Sequence, residues 1–284
     1  MGKFARSWEL MKASAGVLRS DKSLLVFPLL SGLCSLVVMA SFMIPVAAMT
    51  MEGARLGVEY KHGLSTASWT LLFAFYLVQY FVIIFFNTAL AGVALRRLRG
   101  EPAGVSEGLA LAGSRVGAIL GYALIAATVG LLLRMLQERL GLIGRFIVGL
   151  VGLAWTVATF LVVPVLAGEG VGPVDAVKRS VELLRRTWGE NLIGNAGLSV
   201  VFTLIGVLLA LASVALVGGA LATHSVAAFL AAIAIVVLAF IVLALVQSSL
   251  QGIYAAALYR YAEEGEAGVG FPPALLEQAF RPKG

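Results

Sequence analysis

Charge, cysteine and histidine are scarce in this chain, and each shortage excludes a class of protein. Only 13% of its 284 residues are charged and 60% are hydrophobic, whereas a soluble domain is about 25% charged. The single cysteine, Cys34, excludes an internal disulfide and a cysteine-based metal framework. The two histidines, His62 and His224, lie in different connections without a carboxylate pair, so they form no zinc motif. The sequence therefore predicts neither an ordinary soluble domain nor a bound cofactor.

The chain has instead six long runs that contain no Asp, Glu, Lys or Arg. They cover residues 24–51, 63–95, 116–133, 146–168, 192–223 and 225–259. About 20 apolar residues cross a bilayer as a helix, and lipid offers no other partner for backbone N–H and C=O groups. We therefore predict an all-α membrane protein, with six transmembrane helices in a single transmembrane domain over 1–284. A signal peptide is the alternative for the N-terminus, but the segment before Leu24 is too long and too patterned.

Basic residues divide unevenly between the two sides of this predicted membrane domain. Sixteen of the 21 Lys and Arg fall in the N-terminal segment, the second and fourth loops and the tail. Because short cytoplasmic loops are rich in Lys and Arg, both termini are predicted to be cytoplasmic. On the other side, Arg134, Arg139 and Arg145 fall in a connection that we expect to be a short surface helix. The net charge of +6 indicates anionic lipid rather than nucleic acid as the partner.

Three stretches on the predicted cytoplasmic side have apolar residues at helical spacing. The stripes are Phe4, Trp8, Met11, Ala15 and Leu18; Val105, Leu109, Ala112 and Val116; and Val174, Val177, Val181, Leu184 and Trp188. Such spacing predicts amphipathic interfacial helices, whose apolar face lies in the membrane interface or against the helix bundle. Their basic residues predict contacts with anionic lipid, at Lys12, Lys178, Arg179, Arg185 and Arg186.

The cytoplasmic segments also resemble one another, which predicts an internal repeat. Residues Arg6–Lys12 and Arg179–Arg185 match in type at five of seven positions. The even-numbered runs end in similar sequences, which combine glycine and glutamate and lead towards a proline. We therefore predict three copies of an interfacial helix followed by two transmembrane helices, over 1–101, 102–170 and 171–266, with a C-terminal interfacial helix at 271–280. The alternative is that any six-helix membrane protein has basic, amphipathic loops.

Two parts of the chain resemble a known family. The opening, Trp8–Ser14 followed by Val17–Ser31, resembles that of an uncharacterised family of bacterial polytopic integral membrane proteins. The middle segments Val163–Gly170 and Ala176–Leu183 support this, and are also similar to the membrane domain fused to some glycerophosphoryl diester phosphodiesterases. The resemblance implies a helical protein of the bacterial cytoplasmic (inner) membrane. It carries over no catalytic residue, and we expect none of the chemistry that a soluble phosphodiesterase domain would bring.

Two sets of residues within the runs are candidates for function. Asn87, Thr88, Gln247 and Gln251 fall in the cytoplasmic halves of their helices and would converge in a polar vestibule. The alternative for these amides and hydroxyls is hydrogen bonding between helices. Gly113, Gly117 and Gly121 form a stripe of small residues, which predicts close helix packing, either within one subunit or between subunits.

The runs contain no Asp, Glu, Lys, Arg or His side chain that could act as an acid, a base or an ion ligand. Ion-coupled carriers place Asp, Glu, His or Lys at depth, and hydrolases need a nucleophile with a base. We therefore predict a non-enzymatic membrane protein with a scaffold, regulatory or lipid-interacting role. The alternative is a homo-oligomeric channel or uncoupled transporter, whose pore needs no charged residue. A third hypothesis, an enzyme acting on lipid, has only Glu101 and Glu169 as candidate acids.

Overall fold

The structure, a computed structural model, describes residues 3–55, 66–186, 191–265 and Gly268. This part of the chain is helical and contains no β-strand. Its elements are α1 (Lys3–Ser20), a 3-10 turn (Lys22–Leu25), α2 (Val26–Arg55), α3 (Thr66–Leu98), α4 (Val105–Ser114), α5 (Val116–Arg139), α6 (Leu142–Ala158), α7 (Val162–Gly168), α8 (Pro173–Arg186), α9 (Asn191–Ala222) and α10 (Val226–Glu264). The predicted all-α class is confirmed.

Six segments of the described chain are helical, long and apolar enough to cross a membrane. They are Lys22–Ile44, Trp69–Leu98, Val116–Arg139, Leu142–Gly168, Val200–Ala222 and Val226–Glu264, called spans one to six below. Each overlaps one predicted run, so the prediction of six helices with the length and apolarity of a membrane span is confirmed. Large apolar side chains such as Leu204, Leu208 and Leu211 of α9 are exposed, as expected of surfaces that lipid covers. The side of the membrane on which each end lies stays a prediction.

Three short helices, α1, α4 and α8, each precede a pair of spans. This order matches the predicted arrangement, although the repeat itself stays a prediction. The predicted C-terminal helix at 271–280 lies outside the described residues. The expected surface helix between spans three and four is wrong, because α5 continues through Arg134 to Arg139. Within that helix, Arg134 pairs with Glu138 at 3.1 Å, four residues on, and donates a hydrogen bond to the Tyr76 hydroxyl of α3 at 2.8 Å.

Contacts within the chain group into two compact units. The terminal unit comprises Met1–Leu25, Ala94–Pro102 and Leu184–Gly284, and the central unit comprises Val26–Val93 and Ala103–Leu183. In the terminal unit α1, α9 and α10 pack against one another, and every residue from Ile253 to Arg260 is buried. In the central unit α5 packs against α6, and Gly108 lies close to the side chains of Phe27 and Val93.

Candidate functional site

Each even-numbered span ends next to a glycine in the left-handed backbone conformation. Gly100 follows α3, Gly170 follows α7 and Gly265 follows α10, with φ values of 81°, 67° and 72°. Glycine is suited to these positions because a Cβ atom disfavours positive φ, and such a residue commonly ends a helix. The turns bring polar side chains together in two places, which we name the exit cluster and the elbow.

The exit cluster lies in the terminal unit and consists of Asp21, Arg97, Arg99, Arg260 and Glu264. Arg97 Nη2 lies 2.8 Å from Asp21 Oδ2. Glu264 accepts hydrogen bonds from two guanidinium groups, from Arg99 Nε at 3.1 Å and from Arg260 Nε at 2.8 Å. Arg260 Nη1 also donates to the carbonyl oxygen of Leu98, the last residue of α3. The last carbonyls of a helix have no hydrogen-bond partner within that helix, and here Arg260 of span six supplies the donor for one at the end of span two.

Burial differs sharply between the members of the exit cluster. Arg260 is only 7% exposed, whereas the side chain of Arg99 is 41% exposed. Asp21 Oδ1 accepts hydrogen bonds from the backbone N–H and hydroxyl of Ser23, at 3.0 and 2.5 Å. Burial acts to raise the pKa of Asp21, but these bonds and the charge of Arg97 outweigh it and hold that pKa below its usual value. Asp21 is therefore ionised at neutral pH.

The elbow lies in the central unit, where span four is interrupted and then leads into α8. Residues 159–161 separate α6 from α7. Ser180 of α8 occupies this break: its Oγ donates to the Ala158 carbonyl at 2.7 Å and accepts the Leu161 N–H at 3.1 Å. Ser180 is fully buried. Pro164 accounts for the break, because a proline ring clashes with the carbonyl four residues before it.

The other contacts of the elbow are made by charged side chains and by a glycine that allows α5 and α8 to approach closely. Arg179 pairs with Glu169 at 3.1 Å and with Glu182 at 3.0 Å. Arg115 Nη1 lies 3.4 Å from the carbonyl oxygen of Gly170. Gly121 of α5 leaves room for Pro173 at the start of α8, since a Cβ atom there would lie 2.7 Å from Pro173 Cγ.

Two junctions between a short helix and the next span have the same local structure. The hydroxyl of Ser20 donates to the Val17 carbonyl, and that of Ser114 to the Leu111 carbonyl, both at 2.7 Å. The residue that follows each serine contacts the end of the next even-numbered span. Asp21 pairs with Arg97 at the end of span two, and Arg115 contacts Gly170 after span four. The third junction lies outside the described residues.

The predicted lipid contacts fall into different environments. Lys12, Lys178 and Arg185 are exposed, and Lys178 lies 3.5 Å from Asp175. The side chain of Arg179 is only 24% exposed and is held by two glutamates, so its charge is largely committed to them. The side chain of Arg186 lies outside the described residues.

The buried faces of the short helices contain serines as well as residues of the predicted stripes, such as Leu18 and Leu184. The placement of the stripes in the membrane interface or against the helix bundle stays a prediction. On α8 the fully buried residues are Ala176, Ser180 and Leu183, whereas Val174 from the predicted apolar stripe is 53% exposed. On α1, Ser14 is fully buried beside Val17 and Leu18. The i, i+4, i+7 spacing of Ala176, Ser180 and Leu183 is the signal that could have revealed this face.

The members of the predicted vestibule belong to different units. Asn87 and Thr88 lie in the central unit, and Gln247 and Gln251 in the terminal unit. Thr88 is fully buried, and its hydroxyl donates to the Ile84 carbonyl of its own helix at 2.8 Å. Asn87 and both glutamines are half-buried. Their convergence stays a prediction.

The predicted glycine stripe is divided between two helices. Gly113 lies on α4, and Gly117 and Gly121 lie on α5, because α4 ends at Ser114. An added Cβ atom would meet nothing within 4 Å at Gly113 or Gly117, whereas at Gly121 it would meet Pro173. Close packing within the chain is therefore seen at one of the three glycines.

Comparison with known proteins gives a family but no activity. Residues 66–270 match DUF6159, a family of unknown function, and this segment contains the whole elbow and four of the five exit-cluster residues. No curated protein matches the chain. Within the described residues, no three His, Cys, Asp or Glu side chains are placed to hold a metal ion. Since the match covers more than half of its length, the chain belongs to the DUF6159 family.

Proposed function

We propose that the protein is a non-enzymatic integral protein of the bacterial inner membrane that interacts with anionic lipid through its cytoplasmic side. The observation that best supports this is the division of α8 into two faces. Ala176, Ser180 and Leu183 are fully buried, whereas Lys178 and Arg185 are exposed. A helix with one packed face and exposed lysine and arginine side chains is suited to lie among anionic headgroups.

A threefold repeat is part of the same proposal. It is supported by the order of short and long helices, by the left-handed glycine after each even-numbered span, and by the matching junctions at Ser20 and Ser114. Three equivalent units would place three short helices, and the ends of the three even-numbered spans, on one side of the membrane. Such a platform suits a scaffold or regulatory role.

The elbow supports a scaffold rather than an enzyme. Its segments Val163–Gly170 and Ala176–Leu183 are those that resemble the membrane domain fused to some phosphodiesterases. Glu169, one of the two candidate acids for an enzyme, pairs with Arg179 at 3.1 Å. A carboxylate held in an ion pair at the end of a span links two segments of the elbow, which suits a structural role.

Thermal unfolding in lipid nanodiscs tests the proposed function. The full-length protein is placed in phosphatidylcholine alone and in phosphatidylcholine with phosphatidylglycerol. We expect a higher unfolding midpoint in the anionic discs, and a smaller difference for Lys178→Gln/Arg185→Gln. Equal midpoints of the parent protein in both lipids would overturn the proposal. Ion flux through the parent in proteoliposomes would instead favour the homo-oligomeric channel.

A further inference from the structure

The Asp21–Arg97 ion pair joins two segments that are distant in sequence. Asp21 lies between α1 and span one, and Arg97 lies in the last turn of α3. Span one begins at Lys22 and span two ends at Leu98. The pair, at 2.8 Å, therefore sits where one span enters and another leaves the membrane, on the same face of the bilayer. This is the level of the lipid headgroups.

Three exposed basic residues flank this ion pair, and we name them the basic rim: Arg19, Lys22 and Arg96. Each lies one or two residues from Asp21 or Arg97, so its Cα atom is within about 7 Å of one of them. Arginine and lysine side chains are long enough to converge from such positions on one small anion.

No member of the basic rim makes an ion pair with another described residue. Asp21 is occupied by Arg97 and Ser23, and Glu264 by Arg99 and Arg260. Glu101, the nearest other acidic residue along the chain, makes no ion pair with the rim. Three positive charges thus remain without a neutralising carboxylate in the described structure.

We propose that the basic rim binds the phosphate group of an anionic phospholipid in the adjoining leaflet. This inference rests on the proposed function and gives it a particular site, on α1 and α3 rather than on α8. Arginine binds phosphate through paired, charge-assisted hydrogen bonds, and lysine adds a mobile point charge. The position of the rim at the ends of two spans favours a lipid headgroup over a phosphate ester from solution.

Binding of fluorescent phosphatidylglycerol to the full-length protein in neutral detergent tests this site. Energy transfer from tryptophan reports binding, and unlabelled phosphatidylcholine and glycerol phosphate serve as competitors. The rim variant is Arg19→Gln/Arg96→Gln. The control variant, Arg139→Gln/Arg145→Gln, removes the same charge from exposed arginines at the other ends of spans. Thermal unfolding without added lipid checks that both variants fold like the parent.

We expect the rim variant to bind phosphatidylglycerol on the order of tenfold more weakly than the parent, and the control variant to bind like the parent. If the parent binds phosphatidylglycerol but the rim and control variants behave alike, the site is wrong and the proposed function survives. If the parent does not prefer phosphatidylglycerol over phosphatidylcholine, the proposed function fails as well. Displacement by glycerol phosphate at the concentration of the lipid would overturn the assignment to lipid.

Discussion

The exit cluster joins charged side chains to one another, whereas the elbow inserts one hydroxyl group into an interrupted helix. Glu264 is shared between a buried arginine and an exposed one. Ser180 is neutral, fully buried and bonded to two backbone groups. Water can replace a lost partner at an exposed ion pair, but it cannot reach a buried donor. Burial, more than formal charge, therefore decides what each contact contributes to stability.

The largest effect is expected at Arg260. The change Arg260→Gln removes the buried guanidinium from Glu264 and from the Leu98 carbonyl, and should lower the free energy of unfolding by about 3 kcal/mol. Denaturant titration in mild detergent measures this quantity. The matched control is Arg99→Gln, which breaks the exposed bond to the same glutamate and should cost less than about 1 kcal/mol. Equal losses for the two variants would refute the role given to burial.

An intermediate effect is expected at Ser180. The change Ser180→Ala leaves the Leu161 N–H without its acceptor and the Ala158 carbonyl without its donor, and should cost about 2 kcal/mol. The same titration measures it. Ser213→Ala is the control, since the Ser213 hydroxyl donates only to the Leu209 carbonyl of its own helix, at 2.7 Å. If the two alanine variants are equally stable, Ser180 does not hold the break in span four.

The smallest effect is expected at Asp21 and depends on pH. Because the pKa of Asp21 is lowered in the folded protein, its ionised form stabilises the fold above the unfolded-state pKa of about 3.9. Because the side chain of its partner Arg97 is 38% exposed and water can replace it, this contribution should be below about 1 kcal/mol, and it should disappear as the pH falls further. Unfolding midpoints of the parent and Asp21→Asn at pH 7 and pH 3 check it. A difference that grows towards pH 3 would contradict the assigned ion pair.

The spans could be predicted from sequence because lipid requires a long charge-free run to form a helix, in which its backbone N–H and C=O groups pair with one another. The break at residues 159–161 is hard to predict because the run 146–168 contains no charged residue, and Pro164 is its main signal. The fully buried face of α8 includes Ser180, which a stripe of apolar residues alone does not contain because serine is polar. The pair between Arg99 and Glu264 joins residues that are 165 positions apart. Such a pair depends on which helix ends pack together, and local sequence patterns do not determine that.

Cysteine labelling in intact cells tests most directly the claim that the side of the protein with sixteen of the 21 Lys and Arg faces the cytoplasm and its anionic lipid. Single cysteines replace Lys178, after span four, or Arg139, at the end of span three, in a Cys34→Ser background. Both positions are exposed in the structure. We expect an impermeant maleimide to label Arg139→Cys in intact cells and Lys178→Cys only after the membrane is permeabilised. Labelling of Lys178→Cys but not Arg139→Cys in intact cells would contradict it.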